Sequence, residues 1–168
     1  MLAPGIGMIA RAALWSALAF VLNLSWEIAQ VRLYTIWTEA DRWTLTWSLF
    51  HCSIGDVLIS LAMYALVAVV LRRPNWPASR PWTGGVIAVA GALAYTAWSE
   101  WYNVYRAGSW SYTASMPLVF GIGVSPLLQW LILPPVLVLA YRRLAPLSFG
   151  RRSSRGPGNA HDSARART

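Results

Sequence analysis

Three carboxylates in otherwise apolar surroundings are the side chains of this chain best suited to acid–base work: Glu27, Asp56 and Glu100, with the imidazole of His51 five positions before Asp56. An ionisable group inside a membrane span costs about 2.5–3.5 kcal/mol on the insertion scale, so each needs a reason to be there. Burial and crowding of like charges drive the proton affinities of such groups apart, leaving one carboxyl as donor and another as base. An imidazole beside them can relay protons. Glu27, Asp56, Glu100 and His51 are therefore the catalytic candidates. Asn23, Gln30, Asn103, Trp110, Tyr112 and Gln129 are the expected substrate-binding set. The rings of Trp26, Trp98, Trp101 and Trp110 offer π faces to a cationic intermediate. An isoprenoid, sterol-like or other lipid substrate entering sideways suits such a pocket.

The spacing groups these residues. Asn23, Glu27 and Gln30 fall at i, i+4 and i+7, as do Thr96, Glu100 and Asn103, so each set makes one stripe on a helix. Cys52 and Ser60 lie one turn either side of Asp56, whereas His51 is about 140° round from it and need not touch it. Other readings compete. The same polar groups can simply hydrogen-bond one another across a bundle, at roughly 0.6–2 kcal/mol per pair, although Asn or Ser would do this without a charge. They also suit a cation- or proton-binding transport component, or an accessory subunit of a larger membrane complex. His51, Cys52, Asp56 and Met116 are soft or borderline metal ligands, but a Cys in an apolar run is also a small packing residue. No metal site and no cofactor are assigned.

Composition removes several chemistries. All 14 basic residues are Arg, and without Lys there is no Schiff base to retinal or pyridoxal phosphate and no P-loop. A single Cys excludes an internal disulfide and any CxxC metal pair. Two His, one of them (His161) in a polar tail, argue against a bis-His haem within the membrane. A formal charge of +8 could suggest nucleic acid, but the Arg residues cluster at the ends of apolar runs, where orientation and anionic-lipid attraction explain them.

With 57% hydrophobic and 12% charged residues in 168, against about 25% charged in an ordinary soluble domain, hydrocarbon is the expected solvent. Four apolar stretches, about 9–31, 49–71, 84–104 and 118–141, each approach the ~20 residues that cross a bilayer core. Runs of that length in lipid must satisfy their own backbone, so they are read as helices. The fold class expected is all-α, a polytopic membrane protein of four transmembrane helices occupying 1–147, followed by a disordered basic cytoplasmic tail over 148–168. With the N-terminus inside, the inner segments hold Arg11, Arg72, Arg73, Arg80, Arg142, Arg143 and all five tail arginines, and the outer ones only Arg32, Arg42 and Arg106. That asymmetry sets both termini in the cytoplasm. No small-x-small site follows the first stretch, against its being a cleaved signal.

In this orientation every expensive group falls in the outer half of its helix, while stretches such as 62–70 and 86–94 are almost wholly apolar. Gly84, Ala88 and Ala92 form a small-residue stripe that admits a close neighbour. The outer loops are aromatic, with Tyr34, Trp37, Trp43 and Trp47 in one and Trp110 and Tyr112 in the other, as an interfacial belt would be. Thr38 precedes Asp41 by three, a capping-box-like start to a short in-plane helix. Glu27, Gln30, Val31 and Trp37 match Glu100, Asn103, Val104 and Trp110 at a constant offset of 73, with Asp56 falling on Gln129. Parallel two-helix repeats or coincidence produce such a pattern.

The stretch from Glu100 to Pro135, with Glu100-Trp101, Gly108-Ser109-Trp110-Ser111-Tyr112, Met116-Pro117 and Ser125-Pro126-Leu127-Leu128-Gln129, resembles small uncharacterised four-helix bacterial inner-membrane proteins. The resemblance covers about the C-terminal half of the ordered chain and implies architecture and location, with no reaction attached. The multi-His cytochromes and membrane desaturases have His clusters with no counterpart here. Partners expected are the bilayer itself and either a lipid substrate or a partner membrane subunit, with oligomerisation open and no nucleic acid.

Overall fold

The computed structural model describes residues 4–150, and side chains over 9–145. Four long helices dominate: α1 (Pro4–Gln30), α3 (Arg42–Val70), α5 (Pro81–Tyr102) and α6 (Val124–Gly150). Two single-turn helices, α2 (Ile36–Glu39) and α4 (Trp76–Ser79), lie in the connections, and a minimal hairpin of β1 (Leu118–Val119) and β2 (Ile122–Gly123) precedes α6. The stretches Ile9–Leu33, Arg42–Val70 and Val124–Ala145 are long and apolar enough to cross a membrane. The chain is thus a mostly helical, multi-pass membrane protein. Helix α5 is as long as such a span, but its Trp, Tyr, Thr, Ser and Gly residues dilute its apolar run.

The helices close into a ring in which α1 packs on α3 and α6, and α5 packs on the same two. Large apolar side chains remain exposed on every one of them: Val21 and Ile28 on α1, Leu58 and Val69 on α3, Val86 on α5, Leu131 and Leu139 on α6. Such a surface belongs in hydrocarbon.

Local signals set the helix ends. Asp41 caps α3, its carboxylate accepting from the backbone N–H of Trp43 at 2.8 Å and Thr44 at 3.0 Å. The helix therefore begins seven residues before the expected 49, and the segment expected to lie in plane is its first two turns. The cap is Asp41 itself; the Thr38 hydroxyl instead donates to the carbonyl of Thr35. At the other end of α3, Arg72 is left-handed (φ 50°), with Arg73 N–H bonding to Ala68 O and Arg72 N–H to Val69 O. This is a Schellman cap, and Pro74 prevents continuation. Helix α5 opens on Pro81, whose missing N–H matters least in the first turn.

The fourth helix starts at Val124 rather than Leu118, because Phe120 and Gly121 both take positive φ (51° and 80°) and turn the chain through a tight hairpin. It then continues to Gly150, past the expected end at 141. Beyond that helix, the expected basic tail lies outside the described residues.

The end of the bundle carrying α4 is packed with aromatics. Trp76 is fully buried, and Trp15 stands edge-on to Tyr64, Trp76 and Tyr141 with ring centroids 4.9, 5.9 and 5.4 Å away. The Trp76 indole N–H donates to Tyr64 O (3.1 Å) and that of Trp15 to the Ser60 hydroxyl (3.1 Å), so neither ring buries an orphaned donor. The small-residue stripe of α5 is buried, but at Gly84 the close neighbour is this Trp76 ring rather than a helix: a Cβ there would collide with Cε3.

Candidate functional site

At the opposite end, the connections 31–41 and 103–123 are stitched together. Thr35 N–H donates to Ser111 O (3.0 Å), Thr113 N–H to Leu33 O (2.9 Å), and Tyr34 and Tyr112 form an isolated antiparallel bridge. Helix α5 runs into them through a π turn, Asn103–Ala107, closed by left-handed Gly108 (φ 64°). The two aromatic loops thus form a single cover. Below it lies a cavity of about 620 Å³ between the four long helices.

Glu27 from α1, Asp56 from α3 and Glu100 from α5 all line this cavity, as do His51, Gln30, Asn103, Trp110 and Gln129. Asn23 and Tyr112 do not; they stand behind it and hold residues that do. Gln129, buried to 2% exposure, is the hub. Its amide N–H groups donate to Asn23 Oδ1 (2.9 Å) and Asp56 Oδ2 (2.9 Å), and its carbonyl accepts from Gln30 Nε2 (3.2 Å). Gln30 also donates to Glu27 Oε1 (2.8 Å), while its own carbonyl accepts from Ser125 Oγ (2.7 Å) and Trp26 Nε1 (3.1 Å). Asn23 closes the chain by donating to Ala19 O at 2.8 Å. Five amide and carboxyl side chains from three helices are thereby locked in place.

Glu100 is anchored separately. Tyr112 OH and Trp110 Nε1–H both donate to its Oε2, the latter at 3.4 Å, and Tyr112 OH in turn accepts from Gly123 N–H at 3.0 Å. The hairpin before α6 therefore fixes a carboxylate on α5. Burial, then the hydrogen bond to Glu100, pushes the Tyr112 phenol well above its ordinary value. Burial, followed by the charges of Glu100 and Glu27, does the same to Tyr34 on the cavity wall. Both phenols stay protonated, and that of Tyr112 is the donor to Glu100.

The carboxyls of Glu27 and Asp56 line the same cavity and are linked through the amides of Gln30 and Gln129. Two carboxylates crowded in a low-dielectric site repel, and taking up one proton between them relieves the pair. Among the described residues, donors reach Glu27 Oε1, Asp56 Oδ2 and Glu100 Oε2 only. Among the described residues the one buried side-chain polar atom without a partner is Thr96 Oγ1. The second oxygen of each carboxyl is therefore not sealed in protein, and the cavity is the space these three side chains share.

His51 is exposed at the cavity rim beside Trp47, ring centroids 6.3 Å apart, and no hydrogen bond joins it to a carboxyl. Of the four indoles expected around the carboxylates, only Trp110 lines the cavity. Trp98 and Trp101 point away, 56% and 43% exposed, because they sit off the Thr96–Glu100 stripe, and Trp26 holds Gln30. The aromatic wall is instead Tyr34, Trp47, Tyr95, Trp110 and Trp130. Tyr34 and Trp47 look like belt residues in sequence; for Trp130 the available signal is its place next to Gln129. Met116 is buried against Gly123, away from His51 and Cys52, and no group of three His, Cys, Asp or Glu among the described residues could hold a metal ion.

No family model, curated protein or solved structure matches this chain. The site is read on its own chemistry.

Proposed function

We propose that this chain is a four-span protein of the bacterial inner membrane, with both termini cytoplasmic, whose cavity lies in the outer half of the bilayer and carries out acid–base chemistry on a lipid-like substrate. The Arg asymmetry supports the orientation: Arg72, Arg73 and Arg80 flank α4, at the end of the bundle away from the cavity. Helix α5, which completes the ring, is the fourth span.

The observation that carries the activity is the convergence of Glu27, Asp56 and Glu100, each with an oxygen unclaimed by protein, on one cavity of about 620 Å³. That volume is in the range of pockets that enclose a small organic molecule. The Glu27–Asp56 pair, sharing one proton, gives that proton to the substrate from one carboxyl and takes another back at the partner. The net result is an isomerisation or ring closure needing no co-reactant. Glu100, steadied by Tyr112 and Trp110, offers fixed negative charge to a cationic intermediate, and the ring faces of Trp47, Trp110 and Trp130 add to it.

A structural or accessory role is the second reading, and the amide brace of Asn23, Gln30 and Gln129 favours it for those residues. Native mass spectrometry of the full chain released in native membrane fragments tests both. The acid–base reading expects one retained lipid species in the wild type, altered in mass or lost in Glu27→Gln and Asp56→Asn proteins that stay folded. A chain that comes out free of lipid but bound to other polypeptides would sink it and favour the accessory role.

A further inference from the structure

From the electrostatics of the cavity we infer that its ligand is an amphiphile whose polar end is a primary amine or other N–H-bearing cation, and not a phosphate. The inference rests on the pocket proposed above and adds the class of ligand it takes. Among the described residues the wall contains Glu27, Asp56 and Glu100 and no Arg. The side chains that donate to Glu27 and Asp56 are the neutral amides of Gln30 and Gln129. Three carboxyls share a low-dielectric pocket with no cation among them, so an anionic head group there would meet like charge and a cation would relieve it.

A second observation points to a ligand independently of the carboxylates. Thr96, 5% exposed, lines the cavity one turn before Glu100, and its Oγ1 is the unpartnered polar atom noted above. A hydroxyl in a helix ordinarily bonds back to the carbonyl four residues earlier. Thr96 lacks that bond, and a rotation of its side chain toward the cavity would present the hydroxyl to an N–H donor. The remaining wall is apolar or aromatic: Ile59, Tyr95, Pro126 and Trp130 suit an alkyl or ring body, and the indoles stabilise a cation over their faces. A phosphate site would present the opposite set, with Arg and several converging N–H donors.

The test titrates the full chain, in maltoside micelles, with four probes of one chain length: dodecylamine, dodecyltrimethylammonium, dodecanol and dodecyl phosphate. Native mass spectrometry counts the retained probe, and Trp fluorescence reports entry beside Trp47, Trp110 and Trp130. Dodecylamine is expected to bind at least ~10-fold more tightly than dodecanol, a difference of about 1.4 kcal/mol, with dodecyl phosphate the weakest. In the Glu27→Gln/Asp56→Asn double variant the amine preference should shrink to what Glu100 alone supports while dodecanol still binds, which also shows the variant to be folded. Dodecyl phosphate binding as well as the amine, or an amine preference undiminished in the double variant, overturns the inference. Equal binding of dodecanol and dodecylamine overturns it too but leaves the lipid pocket standing; binding of no probe at all removes both. The wild-type comparison decides whether or not the variant folds.

Discussion

At the scale of single residues, the site divides into groups that hold the protein together and groups that face the cavity. Gln129 belongs to the first: it joins α6 to Asn23 and Gln30 on α1 and to Asp56 on α3. Polar bonds between membrane helices average about 0.6 kcal/mol and reach about 1.7. Gln129→Leu strands three partners at once and is expected to lower stability by about 2–4 kcal/mol, read as the midpoint of thermal unfolding in detergent. Tyr112→Phe removes one donor from Glu100 and one acceptor from Gly123 N–H. Its expected stability loss is smaller, about 1–3 kcal/mol, and because Glu100 is then held only by Trp110, activity should fall further than stability. Equal losses in the two measurements would place Tyr112 in the fold alone. The sequence shows these residue types and their stripes on each helix, since periodicity reports which side chains share a face. It does not show that Gln129 reaches Asp56 or that Tyr112 reaches Glu100, because those pairings depend on how two helices and a hairpin are rotated against each other.

At the scale of elements, backbone chemistry decides where helices begin and what they can pack against. Asp41 is fully exposed, and the N–H groups of Trp43 and Thr44 together with the Thr44 hydroxyl hold its carboxyl below the usual range. A depressed folded-state value contributes stability that is complete above the ordinary aspartate value of about 3.9. That contribution is lost as pH falls through the depressed value. Protection factors of the first amides of α3 should therefore drop at acid pH and not on going from neutral to alkaline; in Asp41→Ala they should be low at every pH. Apolar length alone places this helix about two turns too late, since Trp43, Thr44 and Thr46 look like loop. In the same way, the run from Leu118 reads as helix although Phe120-Gly121 turns it into a hairpin. Glycines separate the packing elements from the merely small ones. A Cβ at Gly84 would collide with Trp76, whereas one at Gly85 meets nothing within 4 Å. Gly84→Ala should cost about 1–3 kcal/mol and Gly85→Ala should stabilise by up to about 1 kcal/mol. The Gly84 penalty should shrink in a Trp76→Ala background if contact with that ring is its cause. Trp76 itself, in a short polar connection, gives no sequence signal of being the most buried large side chain at its end of the bundle.

At the scale of the whole molecule, the ring order sets α1 across from α5 and α3 across from α6, the same pairs that the 73-residue offset relates. Asp56 and Gln129, one offset apart, bond to each other. Glu27 on α1 and Glu100 on α5 line one cavity with them, so the polar layer belongs to the assembled ring rather than to any one helix. The aromatic cluster of Trp15, Tyr64, Trp76 and Tyr141 closes the other end. A molecule with one polar, cavity-bearing end and one tightly packed end is polar across a membrane as well, and the direction matters for which pool of water and lipid reaches the carboxylates. The Arg-rich connection around Arg72, Arg73 and Arg80 lies at the packed end, so that end should face the cytoplasm. A reporter active only outside the cytoplasm should work when fused after Thr38 or Thr113, in the two loops stitched over the cavity, and be silent after Ser79 in α4. If α5 does not cross the membrane, the fusion after Thr113 will match that after Ser79 instead of that after Thr38. The reverse pattern at all three sites would turn the cavity toward the cytoplasm and make its lipid source the inner leaflet.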